Sequence, residues 1–347
     1  MAALAAVVAA ATLVACSSGS TGNGSSASDS NTLAAPTKAA DGPLKGKKVL
    51  YVDAVPGNPL LDGIAQGLYA SLTAEGADFA RVFQVNANNQ FDLDAGNRRI
   101  NEGIAEGVDA IILFPSAAAG AKPGIDAAHR AGIPIFTIEA NRDLPGADGA
   151  LRWPDAARGK EVAEAIAKAA GGSGEATVIS GVPTQNINDA VHAAAEGLEA
   201  AGMTLVGNPD DQRNLQDDAP GAQKITTALL QQHPNLKALI VFNAGSATGA
   251  IAAARQLGRT DVVIGTLGGE DSNIAQLKSG QLAVAYDFNA YAYGSTFGPL
   301  VADVLEGKMP ESKTIDAPLG KLYTRDNADE YMPASERYRY VKIPSGF

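Results

Sequence analysis

Four side chains carry most of the chemistry this chain offers: Asn58, Glu139, Asn243 and Asp287. Each ends or follows a short apolar run. Each presents a planar polar group that can meet two hydroxyls at once, donating and accepting as an amide or accepting as a carboxylate. Groups of this kind hold neutral polyols by bridging adjacent hydroxyls, with an apolar or aromatic wall against the C–H face. Each also has a plainer role. Asn58 precedes Pro59 and can start a turn and cap a helix. Asn243 can cap the helix that follows it. Glu139 closes a buried run, where an unpaired carboxylate is costly, and a ligand or Arg142 can neutralise it. Asp287 can face a hinge rather than a ligand.

Catalytic constellations are scarce. No Gly-x-x-x-x-Gly-Lys-Ser/Thr loop occurs, and no Gly-x-Gly-x-x-Gly follows a strand. Gly245-Ser246-Ala247-Thr248-Gly249 misses a nucleophile elbow by one position. His129, His192 and His233 are dispersed, without metal-ligand spacing. The Asp217-Asp218 pair reads as a solvated loop pair. No enzyme activity, cofactor or metal is expected.

The one cysteine, Cys16, ends the run Leu13-Val14-Ala15-Cys16. Residues 2–15 are Ala, Leu and Val apart from Thr12. This suits a signal h-region and is too short for a bilayer span of about 20 residues. The tetrad looks like a bacterial lipobox, in which the cysteine becomes residue one and receives lipid. No Lys or Arg precedes the run, although a secretory n-region is basic; a start upstream of Met1 accounts for this. The alternative is an Ala-rich helix with a buried structural cysteine. Expected segments are a signal peptide at 1–15 and a lipidated Cys16 with a flexible Gly/Ser/Thr/Asn-rich linker to residue 44. Lipidation places the chain in the cell envelope, anchored at the outer face of the cytoplasmic membrane or in the periplasm.

The rest is long enough for two domains. The net charge of −11 argues against nucleic acid, which wants a basic stripe. No second apolar stretch approaches a transmembrane length.

These residues need a frame to hold them, and the chain supplies an alternation of elements. Expected strands are 48–55, 79–86, 110–114, 133–138, 176–180, 204–206, 238–242, 262–266 and 283–287. Expected helices are 59–75, 92–106, 120–131, 155–170, 188–201, 221–232, 246–256, 271–278 and 291–305. Continuous apolar strands suit parallel sheets buried on both faces. Strand–helix alternation gives βαβ units, and the pattern repeats in the second half. Two doubly wound α/β halves fit better than one wide sheet.

In order and spacing the segments resemble the type I periplasmic binding proteins, specifically the ribose/galactose-type components of ABC importers. The patterns are Asn58-Pro59, Gly107-Val108-Asp109-Ala110-Ile111-Ile112, Ala131-Gly132-Ile133-Pro134-Ile135, Glu196-Gly197-Leu198, His233-Pro234-Asn235-Leu236-Lys237-Ala238 and Asn243. The resemblance implies two Rossmann-like domains with parallel sheets, a hinge of three crossovers and a ligand cleft between them. It maps one lobe to 45–153 plus 290–320 and the other to 154–289 plus 321–347. Repressors share the fold but carry a helix-turn-helix where this chain has its leader and linker.

On that frame the strand ends assign the ligand surface to Asn58, Leu60, Leu61, Phe114, Glu139, Asn141, Arg142, Asn188, His192, Asp217, Asn243, Leu267, Asp287 and Phe288, with Glu270 and Asn289 nearby. His192 has a plainer reading as a solvated or packed side chain. Tyr286, Tyr291 and Tyr293 read as hinge packing, and Phe288 as either packing or platform. Four departures from the family pattern stand out. Leu60-Leu61 replace an aromatic pair, Glu139-Ala140 replace Asp-Arg, Leu267 replaces an Asp, and Phe114 replaces a polar residue. Ribose and galactose are therefore not assigned. A small polyol, a deoxy sugar or another less hydroxylated solute is expected. The acidic excess of the cleft also leaves an amine-bearing ligand open. Expected partners are the solute, a membrane ABC permease and the lipid anchor, with the protein a monomer. The alternatives are a sensory module for a membrane kinase or chemoreceptor, and a binding protein for a nucleoside or amine.

Overall fold

In the computed structural model, residues 36–114, 118–138, 146–308, 310 and 312–347 are described. Cys16, most of the linker, Glu139, Asn141 and Arg142 lie outside them. The chain forms two six-stranded sheets.

The first sheet contains β1 (Lys48–Asp53), β2 (Asp78–Phe83), β3 (Ala110–Leu113), β4 (Ile135–Ile138), β5 (Gly149–Arg152) and β11 (Thr314–Asp316). Its order is β11-β5-β4-β3-β1-β2, and all its pairings are parallel. The second contains β6 (Gly174–Ile179), β7 (Met203–Leu205), β8 (Leu236–Val241), β9 (Val263–Thr266), β10 (Val284–Asp287) and β12 (Lys321–Thr324). It repeats the pattern as β12-β10-β9-β8-β6-β7, with only the β10–β12 pair antiparallel. The central strands are the most buried: β3 and β4 throughout, and β1 and β8 at all but one residue, as sheets covered on both faces require.

The helices between them are α1 (Pro59–Ala74), α2 (Leu93–Ala105), α3 (Ala118–Arg130), α4 (Asp155–Ala169), α5 (Gln185–Ala200), α6 (Ala219–Gln232), α7 (Ala244–Gln256), α8 (Asp271–Lys278) and α9 (Ala290–Leu305). Each sheet carries a separate apolar core on each face. In the first lobe, one gathers Leu68, Phe136 and Phe297 and the other Ile100, Ile111 and Ile125. The second lobe divides in the same way, around Val178 and Leu198 and around Leu239 and Ile251.

The expected two-lobe α/β architecture is present, and the strand candidates lie within a few residues of the observed ones. Three short strands have no counterpart in the sequence reading: β5, β11 and β12. The chain passes between the sheets three times, from β5 to α4, from β10 to α9 and from β11 to β12.

The tail differs from expectation. After β12 come a 3₁₀ turn (Ala328–Glu330) and a one-turn helix, α10 (Ala334–Arg337). The last residues then return to the first lobe instead of staying with the second. Gln66 of α1 exchanges two hydrogen bonds with the Val341 backbone, at 2.7 and 3.0 Å. The Arg81 N–H on β2 donates to Pro344 O at 2.8 Å. The reason is open bonding capacity: β2 is the edge strand of its sheet, and the tail covers that edge. No helix among the described residues is long and apolar enough to cross a membrane.

Candidate ligand-binding cleft

In both sheets the strand order reverses beside the first strand of the half, at β1 in one and β6 in the other. In open α/β sheets ligands gather outside the carboxyl ends of the strands at such points. A cleft of about 700 Å³ lies there, lined from both lobes, a size suited to a small molecule.

Two asparagines mark the equivalent positions. Asn58 follows β1, and its Oδ1 accepts from the N–H groups of Leu60 and Leu61 at 3.0 and 3.3 Å. Asn243 follows β8, and its Oδ1 accepts from Ser246 N–H at 2.8 Å. Both cap the helices they precede, and both line the cleft. The capping and binding roles are therefore compatible, because the cap fixes the carbonyl oxygen and leaves the NH₂ group in a set direction. The Asn243 Nδ2 donates to the Asp217 backbone carbonyl at 3.3 Å.

Asp217 sits in the left-handed region, with φ +52°. Burial, and then the neighbouring Asp218 carboxylate, push its pKa upward. Its Oδ1 is buried without a hydrogen-bond partner among the described residues. The Nε1 of Trp153 is likewise buried and unpartnered among them. Trp153 follows β5 at the first crossover and packs edge-on against Phe114 and Tyr293, with Phe288 tilted beside it at 6.1 Å. Arg158 is 1% exposed on α4. It donates to Asp155 and to the Leu267 carbonyl, both at 2.6 Å, and its guanidinium lies 4.6 Å from the Phe288 ring centre. It is thus a fixed cation in the cleft wall. Asp287 forms an ion pair with Arg337 at 2.7 Å.

Of the residues assigned from sequence, Asn58, Leu60, Asp217, Asn243, Asp287 and Phe288 line this cleft, as do Glu270 and Asn289. Five others do not. Leu61 faces inward from α1 and is buried. Leu267 is fully buried in the second-lobe core and offers only its carbonyl, to Arg158. Phe114 packs against Trp153 and the first-lobe core. Asn188 is half-buried on α5, and Asn186, one residue pair earlier, takes the lining position. His192 is exposed and pairs with Asp210 at 3.2 Å, which is its solvated reading. Trp153, Arg158, Phe242, Tyr331, Arg337, Tyr338 and Tyr340 line the cleft without having been assigned. The Trp153-Pro154-Asp155 break between a strand and a helix was the available signal for the first two. Among the described residues, no group of three His, Cys, Asp or Glu side chains could hold a metal.

Comparison with known proteins gives the same frame. The ribose import binding protein RbsB of Bacillus subtilis is 26% identical over 269 residues, covering 77% of this chain and 84% of its own. A D-ribose/D-allose-binding protein of Pseudomonas aeruginosa is 29% identical over 249 residues, covering 68% and 76%. The crystal structure of a periplasmic ribose ABC transporter protein from Conexibacter woesei superposes with a TM-score of 0.75 at 23% identity, over 86% of this chain and 99% of that one. Residues 54–309 match the family described as periplasmic binding protein domain, and this chain belongs to that family.

Proposed function

We propose that this chain is the extracytoplasmic solute-binding component of an ABC importer. It captures a small neutral polyhydroxylated solute, a sugar, deoxy sugar or polyol, between its lobes and delivers it to a membrane permease. The observation that carries the reading is that buried polar atoms without a hydrogen-bond partner among the described residues belong to residues lining the cleft, among them Trp153 Nε1, a donor, and Asp217 Oδ1, an acceptor. Leaving such groups unpaired costs about 1–3 kcal/mol each, and a hydroxylated ligand satisfies both. The sugar class is supported by the relatives named above. We further propose a monomer anchored through a lipid on Cys16. No catalytic step is assigned: capture is non-covalent, and the two lobes close on the solute about their connecting segments.

The test is a thermal-shift screen of the unlipidated Cys16→Ser chain against aldoses, deoxy sugars, polyols, nucleosides and amines. A ligand at a thousandfold excess over Kd stabilises the folded state by about 4 kcal/mol. We expect a neutral polyhydroxylated hit whose affinity, measured by calorimetry, falls at least tenfold in Asp217→Asn and in Asn243→Ala. Hits confined to nucleosides or amines would overturn the carbohydrate assignment and leave the family unchanged.

A further inference from the structure

The tail that returns to the first lobe lies beyond the matched family region, which ends at residue 309. On its way it crosses the cleft. Tyr338 stacks on Tyr291 of α9 with ring centres 4.0 Å apart and planes within 6°, and its hydroxyl donates to Asn289 Oδ1 at 2.7 Å. Val341 is clamped by Gln66 as described above. Between these anchors and β12, the tail delivers one cation to the cleft wall, Arg337.

Asp287 is where that charge matters. It ends β10 at a crossover, and its side chain is 15% exposed in the cleft. Its Oδ1 accepts from Asn289 N–H at 3.3 Å, and its Oδ2 faces Arg337 Nη1 at 2.7 Å. The other carboxylates of the wall are Asp217, Glu270 and Asp271, and Asp271 already accepts from the Tyr331 hydroxyl. The second lining cation, Arg158, is committed to Asp155 and the Leu267 carbonyl. Without Arg337 the wall therefore holds one more uncompensated carboxylate, Asp287, in addition to Asp217, and a cluster of this kind captures ammonium groups. Arg337 is itself mostly buried, and its Nε has no hydrogen-bond partner among the described residues. A buried charge is tolerated when it is paired, and a spare charged donor is well placed for a neutral oxygen.

We propose that the C-terminal segment 331–341 is a wall of the binding site, and that its Arg337 sets specificity. By occupying Asp287 it turns an acidic cleft toward neutral hydroxylated solutes and against amine-bearing ones. The proposal rests on the binding-cleft reading above and adds a determinant from outside the matched region.

The test compares the Cys16→Ser chain with Arg337→Ala and with the double variant Arg337→Ala/Asp287→Asn. Calorimetry is run against the best neutral sugar or polyol of the screen and against its analogue carrying an amino group in place of one hydroxyl. Circular dichroism melts confirm that each variant is folded. We expect Arg337→Ala to lose at least tenfold in affinity for the neutral solute and to gain affinity for the amino analogue. The double variant should lose that gain and recover part of the neutral binding, because the orphaned charge is gone. Unchanged neutral binding in Arg337→Ala overturns the role of Arg337 and leaves the solute-binding reading standing. So does a double variant that behaves like Arg337→Ala toward both ligands, which would mark the arginine as a mere tether. A parent chain that binds the amino analogue and no neutral solute overturns both readings.

Discussion

At the scale of single residues, the sharpest electrostatic feature lies outside the cleft. Asp53, at the end of β1, is fully buried and meets the Arg81 guanidinium through Nε and Nη2 at 2.9 and 2.6 Å. Arg81 also reaches Asp62 at 2.7 Å. Burial raises the Asp53 carboxyl from 3.8 to about 6, against the opposing pull of Arg81. The folded state therefore holds a proton on Asp53 more readily than the unfolded chain does. This group's contribution to stability is full below about pH 4 and is lost as the pH rises to about 6. Asp53→Asn should flatten that part of the profile. At pH 7 it should be close to neutral or slightly stabilising, because a neutral amide takes the place of a carboxylate that burial disfavours. Urea titrations at pH 4, 5, 6 and 7 check both; an unaltered slope would show that another group sets it. The cleft residues were legible from sequence where a polar side chain closes a strand or caps the helix after it, as at Asp287, Asn58 and Asn243. Leu61 and Leu267 stand one position from lining residues. Position next to a strand end does not reveal which way a side chain turns, and both turn into the core.

At the scale of elements, the paired helices approach through their smallest residues. A Cβ on Gly294 of α9 would stand 2.0 Å from Ile64 O of α1, and one on Gly159 of α4 would stand 2.2 Å from Ala190 O of α5. Both lobes thus bring backbone against backbone, where even a methyl group cannot fit. Gly294→Ala must push α1 and α9 apart, with an expected loss of about 1–3 kcal/mol. An unchanged urea midpoint would refute it. Helices were legible because apolar periodicity marks them: α8 spans the predicted residues, and α1 and α4 each end one residue early. Helices α5, α6 and α7 begin two or three residues sooner than predicted. The true cap of α6 is Asp218, with Pro220 in the first turn, and that of α7 is Asn243. Strands β5, β11 and β12 were missed because they are three or four residues long and only partly buried. Pairing within the sheet, rather than a run of apolar residues, makes them strands.

At the scale of the whole molecule, the two-lobe plan was readable because each half repeats the same alternation, and repetition survives errors at the ends of elements. The return of the tail was not readable. Gln66 and Val341 are 275 positions apart, and nothing local in either announces the other. Three connections join the lobes within the matched region or close behind it, and the tail adds a fourth tie between them.

One residue of the cleft has a further consequence. Trp153 is the only tryptophan of the chain, 6% exposed, with its indole N–H buried and unpartnered among the described residues. The emission of the whole protein under selective excitation is therefore the emission of this ring. Its spectrum should shift when a solute oxygen accepts from Nε1, which gives occupancy an intrinsic optical readout with no dye attached. Titrating the solute found in the screen should yield a saturable spectral change with the calorimetric Kd. Trp153→Phe should abolish the signal and weaken binding by roughly tenfold, the loss of one neutral hydrogen bond. A spectrum indifferent to saturating solute would place the ligand away from the indole. The lone tryptophan would then report from within the proposed site itself.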